Sequence, residues 1–134
     1  MNDHWHGAPI AEPPTARSQR YRHGLALVWG AALLTFIVLS LIPQAAPPPT
    51  IDKELHALSF AFLTILSFVA FRRPMALLLA LGCVLAVGLA SEALQSLVPG
   101  RTGSLEDVAA NLIGMAIGIV IGLLIVRLFR RARS

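Results

Sequence analysis

SEALQSLVPGRTGSLEDVAANLIG, residues 91–114, is the stretch on which the reading of this chain turns. It is the one place where charged, amide and hydroxyl groups cluster between two long apolar runs. Glu92 and Gln95 end the first run. A turn follows with Pro99, Gly100, Arg101 and Gly103, and Glu106, Asp107 and Asn111 open the next run. Polar groups at the edge of hydrocarbon are costly, so a cluster of them has a packing or functional reason to be there.

The rest of the chain supplies the hydrocarbon setting. Of 134 residues, 56% are hydrophobic and only 13% are charged, where a soluble domain has roughly a quarter charged. So few polar groups cannot clothe a small soluble protein, and the natural home is a bilayer, as one membrane domain. Cys83 is the single cysteine and lies in an apolar run, which excludes an internal disulfide and marks it as packing material. The formal charge of +4 is carried in small basic clusters beside apolar runs. That pattern suits membrane orientation and not a nucleic-acid-binding face. No cofactor is expected.

Four apolar runs can be read outward from the central stretch. Residues 1–23 are polar, contain proline and show no apolar period, which predicts a disordered cytoplasmic tail; His4 and His6 around Trp5 are too weak a set for a metal. Gly24–Ile42 is uncharged and long enough to span a bilayer. A cleaved signal peptide with PQAA as the cut is the rival reading, but the preceding polar segment is long for a signal, which favours a retained helix. Pro43 stops this run, and Pro47 to Pro49 form a stiff spacer. Leu55–Phe71 is the second run, with Thr50 as its cap and Asp52 and Glu54 in the first turn. Arg72, Arg73 and Pro74 make a short turn into Met75–Ser91, and Val108–Val126 is the fourth run. The membrane domain is thus expected over residues 24–128, with a basic cytoplasmic tail at 129–134.

Arginine and lysine placement sets the orientation. With both termini cytoplasmic, the inner side carries Arg17, Arg20, Arg22, Arg72, Arg73, Arg127, Arg130, Arg131 and Arg133, and the outer side only Lys53 and Arg101. Asp52, Glu54, Glu92, Glu106 and Asp107 all fall on the outer side. The expected fold is all-α: a polytopic membrane protein with four transmembrane helices.

Helical spacing then sharpens the polar cluster. Asp52 and His56 are i,i+4, as are His56 and Phe60, and Asp107 and Asn111; Glu92 and Gln95 are i,i+3. Each pair shares a helix face, and in hydrocarbon such faces turn toward other helices. Three polar faces are therefore expected to converge on one site near the outer surface. On the fourth run Asn111, Gly114, Gly118 and Gly122 form a stripe suited to close helix approach. Gly88 shares a face with Glu92, so tight packing of helix three on helix four through these glycines is expected.

The order DKxxHxxxF, ExxQ, PGR and DxxxN followed by glycines resembles the VanZ-like family of small bacterial membrane proteins. The matching positions are Asp52, Lys53, His56, Phe60, Glu92, Gln95, Pro99, Gly100, Arg101, Asp107, Asn111, Gly114 and Gly118. The resemblance covers about residues 50–122 and rests on four motifs in order. The family is named for a protein linked to resistance to the glycopeptide antibiotic teicoplanin. The resemblance implies a multi-pass protein of the bacterial inner membrane with a role in the cell envelope.

Each candidate residue has a functional and a packing reading. His56 and Glu92 are the candidate catalytic pair, as proton-transfer groups. Their packing reading is a set of bonds and ion pairs that lock helices together. Lys53 and Arg101 are candidate anion anchors for a lipid head group or a lipid-linked cell-wall precursor. Their packing reading is ion pairing, Arg101 with Glu106 and either cation with Glu92. Asp52, Gln95, Asp107 and Asn111 complete the candidate ligand-binding set. Ser104 with Asp107 also resembles a capping box, and Asn111 suits an interhelical hydrogen bond. A metal site from His56, Glu92 and Asp107 is not expected, because one histidine and two acids form a common accidental set. The leading reading is an envelope protein with a polar ligand site, and the alternative is a non-catalytic scaffold. A transporter ranks last, since its ionisable groups would sit at the midplane of broken helices. Whether a reaction is catalysed, and the oligomeric state, stay open.

Overall fold

A computed structural model describes residues 16–42, 48, 51–98 and 104–132. Those residues form four helices: α1 (Ala16–Leu41), α2 (Asp52–Ala70), α3 (Pro74–Gln95) and α4 (Leu105–Arg131). All four are long and apolar enough to cross a membrane. The 19 residues of α2 extend about 28 Å, close to one hydrocarbon thickness. No strand occurs among the described residues.

Packing is organised around α2, which touches each of the other three helices and has α4 as its closest partner. The contacts run in register: His56 meets Asn111, Ala57 meets Gly114, Ala61 and Thr64 meet Gly118, and Phe68 meets Gly122. Both sequences increase together, so α2 and α4 lie side by side and parallel. This corrects the expected pairing of the glycine stripe with α3. The stripe lets α4 approach α2, where Ala57, Ala61 and Thr64 offer a matching small face. Gly88 of α3 also faces α2, making room for the Phe60 ring.

α1 docks on α2 through aromatic rings. The Trp29 Nε1–H donates to Ser67 Oγ at 2.8 Å, and its ring meets Phe71 edge-on at 5.2 Å. Phe36 meets the rings of Phe60 and His56 in the same way, at 5.1 and 6.0 Å. These contacts pair the late part of α1 with the early part of α2, so the two helices are antiparallel. The ends of α1 and α3 and the starts of α2 and α4 therefore share one end of the bundle. Arg20, Arg22, Arg72, Arg73, Arg127, Arg130 and Arg131 collect at the other.

Polarity is inverted relative to a water-soluble protein. Leu34, Leu58, Phe62, Leu78, Leu79, Ile113, Val120 and Leu124 are exposed. Ser40, His56, Thr64, Ser67, Ser91, Glu92, Gln95, Asp107 and Asn111 are buried. An apolar exterior around a polar interior is stable in lipid, where only the helix contacts shelter polar groups.

Several local expectations change. α1 begins at Ala16, so residues 16–23 continue the helix and are not part of an irregular tail; long arginine side chains carry such a helix past the hydrocarbon. α4 likewise runs through Arg131, beyond the expected boundary at 128. Ile51 occupies the N-cap of α2, with no side-chain cap bond, and Thr50 lies outside the described residues. Cys83 is exposed on α3, facing outward and not into the packing.

Candidate functional site

The polar end of the bundle is assembled around the His56 ring. Nδ1 lies 3.1 Å from Asn111 Oδ1 of α4 and 3.5 Å from Glu92 Oε1 of α3, and Nε2 lies 3.6 Å from Asp52 Oδ1 one turn back on α2. The His56 and Glu92 side chains are each only 7% exposed. Three helices thus bring their polar ends to one imidazole, the geometry that i,i+4 and i,i+3 spacing implied. Both ring nitrogens face oxygen atoms, yet a neutral imidazole has a single N–H. Of these oxygens the Asn111 amide lies within ordinary hydrogen-bond distance of the ring, and the two carboxylates stand slightly further off.

A second network anchors Glu92 from behind. Glu92 Oε2 accepts the Ser104 backbone N–H at 3.3 Å. Ser104 caps α4: its Oγ accepts from the Asp107 N–H at 3.0 Å and donates to Asp107 Oδ2 at 2.7 Å. In a capping box the N3 side chain would take the Ser104 N–H; here Glu92 of α3 takes it, and the cap becomes an interhelical tie. Asp107 is accordingly bound to the cap of its own helix and is not directed at His56. Ser104→Ala should cost about 1 kcal/mol, read as a lower midpoint for thermal loss of the folded protein in detergent.

Lys53 forms an exposed ion pair with Glu106, tying the starts of α2 and α4. Such exposed pairs contribute little. Arg101, with Pro99, Gly100 and Gly103, lies outside the described residues. Gln95 is buried one turn beyond Glu92. Among the described residues, Asp52 Oδ1, Glu92 Oε1, Gln95 Nε2 and Asn111 Nδ2 are buried without a hydrogen-bond partner.

α1 adds a wall that sequence reasoning missed. A cavity of about 430 Å³ opens between α1 and α2, lined by Thr35, Phe36, Leu39 and Ser40 from one helix and Asp52, His56, Ser59, Phe62 and Leu63 from the other. Ser40 and Thr35 were hidden in an uncharged run; their spacing toward the polar end of α1 is the signal that was available. No group of three or more His, Cys, Asp and Glu residues suited to a metal ion occurs among the described residues.

Helices with apolar outsides and a buried polar cluster at one end define a multi-pass helical membrane protein. The chain belongs to the VanZ/LLP1 family, whose model matches residues 12–128. The match takes in α1 and α4 as far as Leu128, as well as the motif-bearing region. An uncharacterized protein of the fission yeast Schizosaccharomyces pombe is 36% identical over 101 residues, 69% of this chain. The chain spans 62% of the length of that relative. No solved structure matches the chain.

Proposed function

We propose that this VanZ-family protein is a multi-pass protein of the bacterial inner membrane. Its termini are cytoplasmic, and a site at the opposite face binds the polar end of a lipid-linked envelope component. The observation that supports this reading is the cavity of about 430 Å³ whose lining includes Asp52 and His56, with the buried Glu92 and Asn111 side chains against the same imidazole. A ligand head at the Asp52 and His56 end of the cavity gives the polar cluster a use beyond clipping helices together. His56 and Glu92 provide proton transfer or orientation within this site. An anionic component would rest on Arg101 and on Lys53, whose exposed pair with Glu106 is weak enough to exchange.

The scaffold reading draws on the Ser104–Glu92 tie and the Lys53–Glu106 pair. The two readings separate by experiment. His56→Gln, Glu92→Gln and Arg101→Gln, made singly, should abolish the envelope phenotype of a deletion-complementation assay while membrane insertion and folded yield persist. Loss of folded yield before loss of complementation would favour the scaffold. Full complementation by all three would overturn the ligand site.

A further inference from the structure

We infer that the cavity between α1 and α2 holds a single-chain amphiphile whose head donates hydrogen bonds, an alcohol or an amine. The inference deepens the proposed lipid site and rests on it. The cavity is about 430 Å³, within the rough 300–1,000 Å³ range of small-molecule pockets, and its two ends differ chemically. Asp52, His56 and Ser40 stand at the polar end of the bundle, Ser59 lies about one turn further in, and Phe62 and Leu63 line the deep part. From Asp52 to Leu63 the helix rises about 16 Å. A slot of that length, polar at one end and apolar at the other, fits a chain with a small head.

The head end is acceptor-rich. Asp52 Oδ1 is buried without a hydrogen-bond partner among the described residues. It stands 3.6 Å from His56 Nε2, beyond hydrogen-bond reach. Among the described residues, Asp52 is the one acid lining the cavity, and neither lysine nor arginine lines it. A phosphate or carboxylate head would meet the Asp52 carboxylate with no lysine or arginine among the described lining residues to offset it. A hydroxyl or ammonium group can donate to the exposed part of the Asp52 carboxylate, whose side chain is 27% exposed and lines the cavity, and the Ser40 and Ser59 hydroxyls can serve it on either side.

The test uses the full chain in nonionic detergent with added dodecanol, dodecylamine or dodecyl phosphate, each read as a shift in thermal unfolding midpoint with concentration. Dodecanol and dodecylamine should raise the midpoint saturably and dodecyl phosphate should not. Asp52→Asn should weaken dodecylamine about tenfold or more, the loss of a hydrogen bond to a charged group, with dodecanol less affected. Ser59→Leu, which fills the slot, should remove the response to both while leaving the unliganded midpoint near that of the parent. Equal or better protection by dodecyl phosphate, unaltered in Asp52→Asn, would overturn the donor-head inference while leaving the lipid site standing. No response to any of the three would overturn both.

Discussion

Replacing Gly114 with alanine should break the α2–α4 contact and lower the folded yield severely. A methyl group there would sit inside van der Waals contact with the Ala57 carbonyl oxygen and 2.7 Å from its carbon. These are backbone atoms, so no rotamer change relieves the overlap. The helices must separate, and separation pulls Gly118 away from Ala61 and Thr64. Close packing is what holds helices together in lipid, where the hydrophobic effect no longer favours their association. Overpacking costs typically 1–3 kcal/mol, and a backbone clash belongs at about 3 kcal/mol or above. Gly82→Ala is the control: nothing lies within 4 Å of its added methyl, and alanine favours a helix over glycine by up to about 1 kcal/mol. Titrated unfolding in mixed detergent should show a large loss for the first and none for the second. Equal midpoints would mean that α2 and α4 do not approach closely.

His56→Ala should have the second large effect. Removing the ring leaves the Asp52 and Glu92 carboxylates without the group between them and strips Asn111 Oδ1 of its partner at 3.1 Å. Leaving a buried polar group without its partner costs about 1–3 kcal/mol, and the space vacated by the ring adds a cavity cost of about the same size. The Phe36 ring also loses its neighbour, loosening α1. The double variant His56→Ala with Glu92→Gln should recover part of the loss, because an amide is less costly to bury alone than a carboxylate. Additive losses in the two changes would show that the residues do not interact.

The four spans were legible because long uncharged runs broken by proline and charge have few other readings. The convergence of His56, Glu92 and Asn111 was legible for a different reason: period-3.6 spacing assigns each to a face, and lipid forces those faces inward. The partner of the glycine stripe was not. A stripe names the surface of α4 that packs closely, and chain adjacency pointed to α3; the small face of Ala57, Ala61 and Thr64 on α2 was the missing half. The share of α1 in the site was hidden because Thr35 and Ser40 are mild enough to pass as part of a span. The pairing of Lys53 with Glu106 is a contact across 53 positions that no local pattern encodes.

The parallel pairing of α2 with α4 also bears on biogenesis. His56 and Asn111 are separated by 55 residues, so at roughly 5–20 residues per second the ribosome delivers the second about 3–11 s after the first. Through that interval the nascent chain holds an acidic, half-built pocket in the membrane, awaiting its last span. A product truncated before α4 would lack Asn111 and the glycine stripe, leaving His56 and the small face of α2 without their partners.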